Sequence, residues 1–197
     1  MFIVFEGIDG SGKTSIAKMF AEYLKSLGYN IFLTEEPTKT WMGEAVRKGI
    51  KEKINAYSQA FLFFADRAQH ISVIKEHIER GEVVICDRYV YSTYAYQGVQ
   101  LTEYMPMKDA LRWLESIYEP IKLEPDIVFL LITTPSLGLE RIKMREIREN
   151  FEREKFLEEV QRIYLMLAEK YGFKVVNSDF PLAQVFEEVK KIFESWR

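Results

Sequence analysis

Gly7-Ile8-Asp9-Gly10-Ser11-Gly12-Lys13-Thr14 has the pattern G-x-x-x-x-G-K-[ST], and its flanks constrain the fold more than any other stretch of the chain. The apolar run Phe2-Ile3-Val4-Phe5 before it predicts a buried parallel strand. The segment after it sets Ile16, Phe20 and Leu24 at helical spacing. A strand, a glycine loop and a helix N-terminus make a phosphate cradle: glycine lets backbone N–H groups turn inward, and the helix end favours an anion. In such a loop Lys13 reaches the β- and γ-phosphates and the Thr14 hydroxyl ligates Mg²⁺. Gly7, Ile8, Asp9, Gly10, Ser11, Gly12, Lys13, Thr14 and Ser15 are therefore expected to hold a nucleoside triphosphate, ATP or a relative.

Further apolar runs predict strands over residues 30–34, 82–86, 126–133 and 173–177, with helices over 56–80 and 105–118. Short strands alternating with long helices imply crossover units and a parallel sheet covered on both faces. The expected fold is α/β: a P-loop NTPase-type parallel five-stranded sheet flanked by helices, in one domain over 1–197. Right-handed crossovers put the loops after the strands on one rim, where ligands bind. With 27 Lys+Arg against 30 Asp+Glu the net charge is −3, so no global basic field recruits nucleic acid. Cys86 stands alone and fits a reducing compartment. Residues 1–5 are too short for a secretory core, and the longest apolar runs fall far below the roughly 18 residues of a membrane helix. A cytoplasmic protein with no membrane contact is expected.

Val83-Val84-Ile85-Cys86-Asp87 is an apolar strand ending in a carboxylate, which in a P-loop protein sits near Mg²⁺. Arg88 follows with a bidentate fork for phosphate. Taken singly, Arg67 reads as a surface arginine paired with Asp66, and Phe63 as core packing. The 136–172 segment holds Arg141, Lys143, Arg145, Arg148, Arg153 and Lys155 among glutamates. It reads as a solvated face with i,i+4 ion pairs or as a helical lid over about 136–155, with Arg141, Arg145 and Arg148 sharing one face.

Together, the phosphate loop, Glu36-Pro37, Leu62 to Arg67 and the stretch Asp87-Arg88-Tyr89-Val90-Tyr91-Ser92-Thr93-Tyr94-Ala95-Tyr96-Gln97-Gly98 resemble thymidylate kinase from residue 1 to about 178. The chain departs from that family's pattern at Glu35, Thr38 and Lys39 around the Glu-Pro turn, and at Glu149-Asn150 in the lid. The resemblance implies transfer of the ATP γ-phosphate to dTMP with Mg²⁺, held by Thr14 and Asp87, and a homodimer. It assigns Phe63 to stack on thymine and Arg67 to donate to its O4, with Thr93 and Gln97 on the remaining edge. Arg88 would grip the dTMP phosphate and Tyr96 would crowd the sugar 2′ carbon. Asp9 would lie between the 3′-hydroxyl and Arg88, with Glu36 and Ser92 completing the dTMP site and Glu36-Pro37 forming a cis turn. Lys13, Arg88, Arg148 and Arg145 are the expected catalytic cations, with Arg141 on ATP and Arg153 in reserve. The rivals are another P-loop nucleotide kinase, a deoxynucleoside kinase with Glu36 as base, and a GTP switch. The switch lacks an N-K-x-D guanine reader.

Overall fold

The protein is described by a computed structural model covering residues 1–142 and 147–197, with side chains of the helix that begins at 147 described from Arg153 onward. Five strands, β1 (Phe2–Glu6), β2 (Ile31–Glu35), β3 (Val83–Asp87), β4 (Ile127–Ile132) and β5 (Lys174–Asn177), form one sheet in the order β2-β3-β1-β4-β5. Every neighbouring pair is parallel. The expected class and strand count are both met.

Period-two alternation splits the core into two layers. Ile3, Phe5, Ile85 and Phe129 pack with Phe20 of α1 (Lys13–Ser26) and Phe193 of α8 (Leu182–Trp196). Phe2, Val4, Val84 and Val128 face the other side, against α3 (Ala56–Glu79), α4 (Val90–Leu101), α5 (Met107–Tyr118) and α7 (Ile147–Tyr171). The remaining helices, α2 (Trp41–Lys51) and α6 (Pro135–Arg141), flank the rim.

Two expectations need correction. Strands β1 and β2 run one residue further than the apolar runs, ending in Glu6 and Glu35, while β3 ends in Asp87 as the reading of Val83–Asp87 expected. Glu6 and Asp87 are nevertheless buried, because the rim supplies their polar partners. Helix α6 ends at Arg141 and α7 begins at Ile147, so Arg141 and Arg148 belong to different helices rather than one continuous face. The Arg141 guanidinium is drawn instead onto the carbonyls of Ser178 (3.0 Å) and Gly10 (3.4 Å).

Candidate functional site

The phosphate loop leaves β1 and enters α1 through Gly12, whose φ of 82° suits glycine alone among common residues. Gly10 (φ 78°) lies flat on α6: a Cβ there would collide with the Gly138 carbonyl oxygen, and one on Gly138 would stand 2.7 Å from the Asp9 carbonyl oxygen. No side chain fits at this point of the loop. The Lys13 ammonium donates to the Ile8 carbonyl at 3.1 Å across the cradle. Burial and the nearby Arg88 guanidinium lower its pKa to about 8, against the pull of Asp87, Asp9 and Glu6. Ser11 Oγ is buried with no partner, as suits a group waiting for a phosphate oxygen. A cavity of about 470 Å³ opens from this loop to Arg141, Phe180, Pro181 and Leu182.

Thr14, on the first turn of α1, donates its hydroxyl to Asp87 Oδ2 at the end of β3. The other Asp87 oxygen is buried without a partner. Among the described residues no cluster of three metal-ligating side chains exists. A hydroxyl and one free carboxylate oxygen suit an ion that takes most of its ligands from phosphate and water, which is how Mg²⁺ is usually bound.

The larger cavity, about 740 Å³, lies across the rim from this loop. Phe63, Arg67, Gln97 and Gln100 line one end, and Asp9, Arg88, Tyr96 and Arg153 line the other. Arg67 is fully buried on α3 and does not pair with Asp66. Its Nε and Nη2 sit 2.9 and 2.7 Å from Glu36 Oε2. His70 Nδ1 donates to the other Glu36 oxygen at 2.9 Å, and His70 Nε2 lies 2.8 Å from the Thr34 hydroxyl. Asp66 turns the other way, to the Thr38 N–H and hydroxyl at 2.8 and 2.6 Å. Glu36-Pro37 is cis, as the resemblance implied. Arg67 Nη1 and Gln97 Oε1 remain buried and unpaired. The cavity, which Phe63 also lines, therefore has one spare donor and one spare acceptor among its lining residues.

At the opposite end Arg88 holds the left-handed φ of 71°, a conformation that costs on the order of 1–3 kcal/mol outside glycine. It is held there by its N–H on the Phe5 carbonyl (2.9 Å) and by Cys86 Sγ donating to its carbonyl (2.9 Å). Its guanidinium meets Asp9 Oδ1 at 2.6 Å, Ser92 Oγ at 3.1 Å and the Gly7 carbonyl at 3.1 Å, with Tyr96 beneath it. Asp9 Oδ2 pairs with Arg153 at 3.1 Å, bringing the base of α7 onto the phosphate loop. Burial raises the Asp9 carboxyl, but Arg88, Lys13 and Arg153 outweigh it and keep the group ionised.

Glu6 anchors this end. Oε1 accepts the N–H groups of Tyr89 and Ser92 (2.9 and 3.1 Å), while Oε2 accepts the hydroxyls of Ser92 and Tyr164 (2.6 and 2.9 Å). Both hydroxyls thereby turn their lone pairs towards Arg88 Nη1. Glu6, Tyr164 and His70 were not foreseen. Glu6 was readable as a carboxylate closing an apolar strand beside the loop, but its partner Tyr164 stands 158 residues away.

The structure thus gathers Asp9, Lys13, Thr14, Asp87 and Arg88 at one junction and Glu36, Phe63, Arg67, Ser92, Tyr96 and Gln97 around the larger cavity. Thr93 is fully buried, and its hydroxyl accepts from Arg67 Nη2 at 3.0 Å, so it bears on the cavity through Arg67. Arg141 lies on the donor side. Arg145, and the side chain of Arg148, lie outside the described residues.

Comparison with known proteins agrees with this geometry. The family model described as thymidylate kinase matches residues 5–189. A protein of Methanoculleus marisnigri named probable thymidylate kinase is 40% identical over 188 residues, covering 94% of this chain and 90% of its own. Its namesake in Methanocaldococcus jannaschii is 41% identical over 180 residues (90% and 87%), and that of Thermococcus kodakarensis is 38% identical over 208 (99% and 98%). With a family match over nearly the whole chain and relatives well above 30% identity, the chain belongs to the thymidylate kinase family.

Proposed function

We infer that the protein transfers the γ-phosphoryl group of ATP to dTMP, giving ADP and dTDP. The observation that carries this reading is a third space, about 450 Å³, that joins the two cavities between Lys13, Thr14 and Asp87 on one side and Asp9, Arg88 and Arg153 on the other. A donor phosphate on the loop and an acceptor phosphate on Arg88 would meet there. The acceptor oxygen of a phosphomonoester is already anionic near neutral pH, its second pKa being about 6, so no general base is required. The protein's task is alignment and neutralisation of charge. Lys13 would neutralise the migrating group and Arg88 would hold the acceptor in line. Thr14 and Asp87 would hold Mg²⁺, which would supply neutralisation of the donor phosphates' charge.

Base choice follows from the spare groups of the cavity. Thymine offers a carbonyl acceptor at O4 next to an N–H donor at N3, the complement of Arg67 Nη1 and Gln97 Oε1. Cytosine offers the reverse order. Phe63 would floor the ring and Tyr96 would crowd the 2′ position. The segment at about 136–155 would close as a lid within one domain, with Arg153, Arg148 or Arg145 supplying the cation that Gly10 cannot. A homodimer, which the family resemblance implies, belongs to the same reading. No helix among the described residues is long and apolar enough to cross a membrane.

A deoxynucleoside kinase would need a free carboxylate base. Glu36 has both oxygens held by Arg67 and His70, which disfavours that role. Phosphoryl transfer from ATP should be assayed across dTMP, dUMP, dCMP, dGMP and thymidine. We expect dTMP to be the best acceptor, whereas turnover of thymidine without turnover of dTMP would reject the assignment.

A further inference from the structure

Arg67 meets Glu36 in an uneven way. A guanidinium opposite a carboxylate commonly takes both oxygens in a two-bonded fork. Here Nε (2.9 Å) and Nη2 (2.7 Å) crowd onto the single oxygen Oε2. The other oxygen is turned away, onto His70 Nδ1 at 2.9 Å. A carboxylate only accepts, so Nδ1 must carry a proton. His70 is itself fixed, being buried on α3 with its Nε2 2.8 Å from the Thr34 hydroxyl on β2. The Thr93 hydroxyl accepts from Nη2 at 3.0 Å, and the ring centres of Phe64 and Tyr89 lie 5.4 and 5.6 Å from the guanidinium carbon. Nη1 is the corner left unpaired, and Arg67 lines the acceptor cavity.

We propose that His70 is a positioning residue for base selection: by occupying Glu36 Oε1 it confines Arg67 to Oε2 and so aims Nη1 at the acceptor base. This deepens the kinase reading above and rests on it, since there Nη1 donates to thymine O4. Without a donor at the Nδ1 position, Oε1 is free to swing onto the guanidinium and complete the fork. The guanidinium is planar and rigid, so a turn at Nε and Nη2 carries Nη1 with it. The loss then falls on the ligand that uses Nη1. Thymine has a carbonyl acceptor at O4, whereas cytosine carries an amine there, which donates instead. Binding of dTMP should weaken while that of dCMP barely moves.

The test uses the full chain and two polar replacements. The asparagine amide nitrogen is bonded to Cγ, as Nδ1 is, whereas that of glutamine stands one atom further out, as Nε2 does. His70→Gln should raise KM and the calorimetric Kd for dTMP about tenfold, the scale of a hydrogen bond to a charged group, with kcat and KM for ATP within about twofold of the parent. Selectivity for dTMP over dCMP should fall by the same factor. His70→Asn keeps the donor and should retain most of both the affinity and the selectivity. Equal losses in the two variants, or equal losses for dTMP and dCMP, would make His70 a packing residue and overturn the proposal. If neither variant folds, the parent decides, because long-range ¹H–¹⁵N NMR of its two histidine rings shows which nitrogens are protonated. A proton on His70 Nδ1 is the expected result, and a proton on Nε2 alone overturns the proposal. If the parent binds dTMP without phosphorylating it, the kinase reading has failed, and the dTMP and dCMP affinities still decide what His70 does.

Discussion

The donor cradle and the acceptor cavity handle anionic ligands by different means. The cradle is a contiguous run of backbone: eight residues, three of them glycines with positive φ, set at a helix N-terminus. The acceptor cavity is assembled from side chains on α3, α4 and α7 and the turns after β2 and β3, tied by pairs such as Arg67–Glu36 and Arg88–Asp9. A backbone site costs little to keep, because its N–H groups belong to the fold in any case. A side-chain site buries charges, so each partner holds the others in place, and losing one partner leaves a charge without compensation. Defects on the two sides should therefore differ in kind: lost rate with an intact fold at the cradle, lost stability at the cavity.

The largest effect should test the cavity side. Glu36→Ala would strand the buried Arg67 guanidinium and take the partner from His70 Nδ1. Breaking a buried pair this way costs about 3–5 kcal/mol, which lowers Tm by roughly 10 °C in a chain of this size. Thermal unfolding followed by circular dichroism checks this. A drop of about 2 °C or less would mean that the network carries little stability, and the contrast between the two sides would collapse.

Lys13→Ala probes the cradle. On the proposed mechanism its ammonium would face the transferred group, and removing one such stabilising donor costs about 10²–10³ in kcat. Tm should stay within about 2 °C of the parent, because few contacts beyond the Ile8 carbonyl depend on it. Near-parental turnover in the folded variant would take the loop out of the mechanism.

The same contrast explains what could be read from the sequence. The cradle was legible because its geometry is local: one strand, one loop and one helix within residues 2–26. The cavity became legible only through its likeness to a known pattern, since Asp66–Arg67 suggested the nearest pairing while the true partner of Arg67 lies 31 residues back. Helix α4 was hidden for another reason. Nearly all of Val90–Leu101 is buried, so it has no polar face to give a 3.6-residue period. Helix α8, with Val185, Val189 and Phe193 four apart, carried a readable stripe that went unused. Glu6–Tyr164 and Asp9–Arg153 link residues more than 140 apart, a separation that no periodicity reports.

Phe63→Ala sharpens the comparison at lower cost. If the ring floors the pyrimidine, dTMP should bind about 1–3 kcal/mol more weakly, the range for base–aromatic stacking. ADP affinity should hardly move, because Phe63 lines the acceptor cavity and not the donor one. Equal losses for both nucleotides in calorimetry would return Phe63 to the core and erase the separation of the sites.

The smallest effect concerns protons at the cradle. Burial lowers the Lys13 pKa to about 8, so above that pH the free protein loses the charge that meets the phosphates. Two of its neighbours stay charged alongside it: Asp9 is held ionised, and Arg88 is held charged well above its ordinary range. A bound diphosphate brings negative charge beside the ammonium and raises the Lys13 pKa, so the complex holds more protons than the free protein at the same pH. By linkage, ADP affinity must then fall as pH rises through 8, by at most about tenfold per pH unit. Work between about pH 7.5 and 9.5 keeps the nucleotide's own phosphate ionisation, near pH 6, out of the measurement. Calorimetry at pH 8.5 in two buffers of different ionisation enthalpy should show net proton uptake on ADP binding, and Lys13→Met should abolish both the uptake and the pH slope. An affinity that stays flat across this window would mean that the ammonium keeps its proton in the free cradle, and that the cradle is better solvated than its buried lysine implies.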